Sequence, residues 1–222
     1  MTILEAIENR RSIRKYQNKA ISEDDKNILN EKIAELNTES GLHIQLLTGK
    51  PEAFKSFLAH YGGFENAENY LALVGKRSAD LDEKCGYYGE QIVLLAQQLG
   101  LSTCWIGGSF NKRAAFYECA NDEKLSLIIS IGYPAEEGRV HKSKTYEQVT
   151  KDCSNAPDWF RKGIEAALLA PTAVNQQKFI ISMTPEGNVT AKAGIGPFSK
   201  VDLGIVKLHF EIGSGTDHSI WR

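Results

Sequence analysis

Two stretches of this chain gather residue types that can do chemistry. Near the N-terminus, Arg10, Arg11 and Arg14 surround Ser12 within five positions. A guanidinium keeps its charge and presents planar, forked donors, so three of them beside a hydroxyl suit a phosphate. Far along the chain, residues 166–179 read AALLAPTAVNQQKF. An apolar helical run stops at Pro171, passes through short polar residues and resumes as the apolar FIISM. The residue before a proline is pushed out of the α region, so the stretch reads as helix, tight polar corner and strand. The corner collects Thr172, Asn175, Gln176 and Gln177, whose groups both donate and accept hydrogen bonds and can read the edge of a flat heteroaromatic ligand. Each stretch also has a plainer reading, a solvated basic surface for the first and an ordinary capped loop for the second.

The elements that must position these residues follow from spacing. Thr2 and Glu5 stand at capping-box distance, so a short helix leads into the arginines. Ser22 precedes an acidic turn, and Leu29, Ile33 and Leu36 recur at helical spacing up to Ser40-Gly41. LHIQLLT then alternates as a strand, with His43 and Gln45 on one side. Residues 50–69 are polar, contain Gly62-Gly63 and read as a mobile lid. A buried strand is expected over 70–74 and an amphipathic helix over 86–99, stopped by Gly100. The strand 102–106 leads to Gly107-Gly108, where a missing Cβ lets the main chain approach something flat. A short helix is expected over 111–119. LSLIISI, residues 125–131, reads as a strand covered on both faces. The tract after it carries Arg139, Lys142 and Lys144, which could complete a phosphate pocket with Arg10 and Arg14. From Asp158 the pattern restarts: helix, corner, strand 179–183, a turn at Pro185-Glu186-Gly187, strand 188–193 and an apolar helix over 202–212.

Composition narrows the function classes. With 222 residues, 42% of them hydrophobic, the chain can bury a sizeable core as one domain or two closely packed halves. A formal charge of −2 offers no broad basic field, which argues against nucleic acid. Cys85, Cys104, Cys119 and Cys153 are scattered and read as free thiols in a reducing compartment. The first residues do not have the make-up of a secretory leader, and no run approaches the ~20 apolar residues of a spanning helix, so the expectation is cytoplasmic, without a membrane. His43, His60, His141, His209 and His218 lack metal-ligand spacing, and His209 reads as a satisfied core histidine. Gly194-Ile195-Gly196 continues as Pro-Phe-Ser, which argues against a dinucleotide fingerprint.

RRSIRKY, GLSTCWIGGSF at 100–110, IGYPAEEGR followed by Lys142 and Lys144, and APTAVNQQ together resemble the nitroreductase family of flavin enzymes. The resemblance spans most of the chain but departs in order. The family's A-P-S-x-x-N-x-Q corner usually follows the arginine motif within a few dozen residues, whereas here it lies near the C-terminus.

The resemblance implies an α+β fold, a nitroreductase-like α/β/α sandwich whose central, mainly antiparallel sheet is flanked by helices. With the restart at Asp158 it implies an incomplete internal repeat. Residues 1–150 would be a first half with the arginine motif, and 155–222 a shortened second half packed against it and carrying the corner. In the family's homodimer the flavin lies between subunits, so a fused pseudo-dimer would be a monomer with one site, with a homodimer as the alternative. FMN is the implied cofactor. Arg10, Arg11, Ser12 and Arg14, with Lys142 and Lys144, would hold its phosphate and ribityl end. The main chain of Trp105, Ile106, Gly107 and Gly108 would approach the ring, and Pro171, Thr172, Ala173, Asn175 and Gln177 would face it. The implied activity takes hydride from NADH or NADPH and passes electrons to a small acceptor such as a nitroaromatic or quinone, with no side chain acting as nucleophile or general acid. A flavin-binding or sensing protein without turnover, or a member that has lost the cofactor, is the alternative.

Overall fold

The computed structural model describes residues 1–55, 62–153, 155–184 and 187–222. In chain order the elements are α1 (Ile3–Asn9), α2 (Glu23–Ser40), β1 (Leu42–Leu47), β2 (Tyr70–Lys76), α3 (Leu81–Gln98), β3 (Ser102–Ile106), β4 (Glu123–Gly132), α4 (Tyr146–Val149), β5 (Thr150–Lys151), α5 (Asp158–Ala167), β6 (Phe179–Met183), β7 (Val189–Ala193) and α6 (Ser199–Ser214). They fall into two compact units. Residues 10–81 and 92–140 form one, here the arginine unit; residues 1–9, 82–91 and 141–222 form the other, the corner unit.

In the arginine unit, α2 begins where Ser22 accepts a hydrogen bond from the Asp25 amide at 3.1 Å. It ends at Gly41, whose φ of 69° needs a residue without Cβ. Its buried face is Leu29, Ile33 and Leu36, as the spacing predicts. The sheet order is β1-β2-β4-β3, antiparallel throughout. β2 and β4 are the inner strands, buried over most of their length, which is why residues 125–131 read as continuous apolar sequence. β1 is an edge. There Asn37 of α2 donates to the Ile44 carbonyl at 2.9 Å and accepts from the Ile44 amide at 2.8 Å, satisfying the peptide groups that face away from β2. His43 is a sheet-face residue, as read, bonded to Glu123 at 3.1 Å.

The short helix expected over 111–119 does not form. After a turn at 112–114 the chain is irregular, because the sheet's side chains take over its peptide bonding. The Tyr70 hydroxyl accepts from the Phe116 amide at 2.7 Å and donates to the Phe116 carbonyl at 2.9 Å, while the Gln45 amide bonds both Glu118 N and Glu118 O.

In the corner unit, β6 pairs antiparallel with β7 and parallel with the two-residue β5, a strand that the sequence did not suggest. α5 and α6 pack on each other through Phe160 and Phe210, whose rings meet edge to face at 5.4 Å. α3 starts five residues before the expected Gly86. That glycine belongs inside the helix because of what lies against it: a Cβ there would stand 2.0 Å from the Val201 carbonyl oxygen. Gly204 answers from α6, where a Cβ would stand 2.0 Å from the Glu83 carbonyl oxygen, so the two helices touch main chain to main chain. His209 is fully buried as expected, with Nε2 3.0 Å from Glu90 and Nδ1 3.2 Å from the Ala166 carbonyl.

Among the described residues no cysteine forms a disulfide, and no helix is long and apolar enough to cross a membrane. Pro185 and Glu186 of the expected turn, and residues 56–61 of the expected lid, lie outside the described residues.

Candidate functional site

The expected site residues gather in two clusters, one in each unit. In the arginine unit the chain runs extended beside β3 from Ser12, which forms a bridge with Thr103, and the Ile13 amide donates to the Thr103 carbonyl at 3.0 Å. Ile13 and Tyr16, both 2% exposed, are the anchors. The Tyr16 hydroxyl donates to the Ile13 carbonyl at 2.7 Å and pairs with Ser130 Oγ, and burial raises its pKa. Main-chain bonds fix the other side: Gln17 N to Tyr133 O at 2.9 Å, Ala135 N to Lys15 O at 2.9 Å, and Glu65 N to Arg14 O at 3.0 Å. The Arg14 amide donates to Glu136 Oε1 at 3.2 Å.

Backbone bonding thus does much of the holding. Arg10 is buried, Arg11 bonds back to the Arg10 carbonyl, and Arg14 is exposed. The Arg10 and Arg14 charges and the Ser12 hydroxyl act on Cys104 of β3. Burial pushes that thiol's pKa up, while the Arg14 and Arg10 charges and the Ser12 hydrogen bond oppose the rise. Among the described residues no hydrogen bond or ion pair engages the Arg14 guanidinium. Trp105 and Ile106 close β3, and beyond Gly107 the exposed Gly108 faces space in which a Cβ would meet nothing within 4 Å.

The corner is built the opposite way. Pro171 is buried, Thr172 Oγ1 accepts from the Gln177 amide at 3.0 Å, and a 3-10 turn spans Ala173–Asn175. Val174, Asn175 and Gln177 have φ of 47°, 55° and 45°. For a β-branched residue this left-handed region is strained, yet the Val174 side chain is 92% exposed. Gln177 is 3% exposed, and its amide is fully engaged. Nε2 donates to Lys142 O and Asn175 Oδ1, both at 2.9 Å, and Oε1 accepts from Lys144 N at 2.8 Å. Lys144 Nζ donates to the Gln177 carbonyl at 2.7 Å, and Asn175 Nδ2 donates to Lys142 O at 2.9 Å. Lys142, Lys144, Asn175 and Gln177 therefore do come together, as a clamp on the 142–144 main chain.

The family model described as "Putative TM nitroreductase" matches residues 2–214. The chain belongs to this nitroreductase family. A crystal structure of a putative nitroreductase from Thermotoga maritima MSB8 is 26% identical, with a TM-score of 0.69 over 96% of this chain and 83% of that one. A putative nitroreductase in complex with FMN from Desulfovibrio desulfuricans is 19% identical, with a TM-score of 0.53 over 67% of this chain and 95% of its own. A putative NADH oxidase from Clostridium acetobutylicum is 20% identical, with a TM-score of 0.51 over 65% and 96%. The last two share the fold. No curated protein matches the chain. The α+β class with antiparallel sheet and flanking helices, expected from the resemblance to nitroreductases, is the one found.

Sequence reasoning missed Asp202, which organises the corner from the first turn of α6. Its Oδ1 accepts from the Ala173 amide at 2.9 Å and its Oδ2 from Gln176 Nε2 at 2.7 Å. Burial pushes its pKa up to about 6, with both hydrogen bonds opposing. The available signal was a lone acid opening the apolar run DLGIVKLHFEI. Glu136, on the Arg14 amide, was legible only as part of a polar tract.

Proposed function

We propose that this nitroreductase-family chain is an FMN-dependent oxidoreductase that takes electrons from NADH or NADPH and delivers them to a small acceptor such as a nitroaromatic or quinone. The observation that carries the reading is Arg14: an exposed guanidinium without a protein partner among the described residues, on a backbone fixed from both sides, next to Ser12 and the buried Arg10. Such a preorganised cationic group fits the FMN phosphate. The open space at Gly108 supports close approach of a flat group to the main chain. FMN, when bound, supplies the redox chemistry. The chain's own residues bind and orient it: Arg10, Arg11, Ser12 and Arg14 by charge and hydrogen bond at the phosphate end, and Trp105, Ile106, Gly107 and Gly108 through main chain.

The corner fits the group less directly, since its amides are engaged by Lys142 and Lys144. We therefore assign Asn175 and Gln177 as positioning residues that act through the 142–144 segment, with Pro171, Thr172 and Ala173 forming the turn that carries them. The internal-repeat reading draws support from the elements. α2, β1, β2 and α3 run helix, strand, antiparallel strand, helix, and α5, β6, β7 and α6 repeat that order. The D. desulfuricans relative spends 95% of its length on 67% of this chain, which leaves room for a shortened second copy. One FMN per monomeric chain is the corresponding stoichiometry.

The test is an absorbance spectrum of the purified protein, loaded with FMN, followed by anaerobic addition of NADH and NADPH. Flavin bands that bleach support the oxidoreductase. Bands that persist with both donors identify a flavin-binding protein without turnover, and failure to retain FMN at all sinks the reading.

A further inference from the structure

The three-stranded sheet of the corner unit buries one face and leaves the other uncovered. Alternation puts Phe179, Ile181 and Val189 inward, all at most 3% exposed, and turns Ile180, Ser182, Thr190 and Lys192 outward. Over the outward face lies a groove of about 810 Å³, within the range of small-ligand sites.

The charge of this groove is one-sided. Lys192 of β7, Lys151 of β5, Lys178 beside β6 and Lys144 line it, and Asp152 is the one carboxylate among the lining residues. Lys144 and Lys178 donate to main-chain carbonyls, of Gln177 at 2.7 Å and Ile195 at 3.0 Å, which satisfies a proton without cancelling the charge. Neither the Lys151 nor the Lys192 ammonium group has a hydrogen-bond or ion-pair partner among the described residues. Four ammonium groups around one concavity repel each other, and an anion between them would relieve that repulsion. Ser182 and Thr190 face each other across β6 and β7 and add hydroxyls to the floor. Ile180 and the 96% exposed Ile195 add an apolar wall. A bounded basic groove with a hydroxyl floor and an apolar side matches a small molecule that is polyanionic at one end and flat at the other. A long polymer matches it less well, because the chain's net charge of −2 provides no extended basic field.

We propose that this groove binds a nucleoside di- or triphosphate, its phosphates among Lys151, Lys178 and Lys192 and its base against Ile180 and Ile195. Lys144 and Gln177 line one end of it, whereas the turn residues Pro171, Thr172, Ala173 and Asn175 do not.

Calorimetric titration of the whole protein with ADP, inorganic pyrophosphate and adenosine tests this. ADP and pyrophosphate should bind, adenosine should bind roughly tenfold more weakly or not at all, and ADP affinity should fall as salt rises. Lys151→Glu with Lys192→Glu should weaken ADP by roughly tenfold or more without changing FMN content, since oppositely charged groups then meet the phosphates. The milder Lys151→Gln with Lys192→Gln serves if the reversal does not fold. Absence of ADP binding, or binding indifferent to both variants, overturns the proposal. So does displacement of ADP by free FMN, which would make the groove part of the flavin site. A single-stranded oligonucleotide that outcompetes ADP would also overturn it, in favour of a polymer site.

Discussion

The arginine segment and the corner solve the same problem, a non-regular segment held still, with opposite means. The arginine segment is held by its backbone, bonded to Thr103 on one side and to Tyr133 and Glu65 on the other, so Arg14 keeps its guanidinium for a ligand. The corner is held by its side chains: Gln177, Asn175 and Thr172 spend their hydrogen bonds on neighbouring main chain, and its backbone takes left-handed angles at three non-glycine residues. Substitutions should therefore read out as binding in one region and as stability in the other.

The largest effect is expected from Gln177→Ala. It removes one of the two donors to Lys142 O and the acceptor of Lys144 N, and empties the space of a buried side chain, at a cost of about 2 to 4 kcal/mol, seen as a lower urea midpoint. A midpoint within error of the parent would break the comparison from the corner side. Arg14→Ala is its mirror image. It should weaken FMN by about 1.5 to 3 kcal/mol, roughly ten- to a hundredfold in Kd, and change the midpoint little, since the side chain is exposed. Loss of stability with unchanged FMN affinity would reverse the assignment.

Asp202 sharpens the corner's side through pH. Its folded pKa of about 6 lies above the ordinary 3.8, so the folded protein binds the proton more tightly than the unfolded chain. Stability should therefore fall as pH rises between about 4 and 6, by on the order of 1 to 3 kcal/mol. Asp202→Asn should flatten that part of the profile, measured by denaturant titration at several pH values. Asn175→Ala comes last, at about 1 kcal/mol. It loses the bond to Lys142 O, the bond from Gln177 Nε2 and the tolerance of asparagine for positive φ, while Gln177 keeps its own bonds to the 142–144 loop. With FMN bound, it should alter the visible spectrum more than cofactor retention.

What could be read from the sequence was what local physics settles. The Thr2–Glu5 box closes, at 2.7 Å and 3.2 Å, because both partners lie within one turn, and β6 spans the FIISM that follows the corner. Residues whose role depends on a distant neighbour were hidden. Gly86 looked like a boundary because Val201 is far away in sequence, and residues 111–119 looked helical because nothing local announces Tyr70 and Gln45 as their partners. The corner's residue types were recognised, but which groups they bond was not, since that depends on the 142–144 main chain some thirty residues earlier.

The Asn37 clip on β1 has a consequence outside both regions. An edge strand with open peptide groups is a template on which another polypeptide can add, the first step toward aggregation. At Ile44, the middle of the strand, that template is already occupied by a side-chain amide that imitates a peptide. The sheet thus carries its own terminator, supplied by the helix that precedes it, and the contribution of Asn37 lies in colloidal behaviour at high concentration as much as in the fold of one molecule.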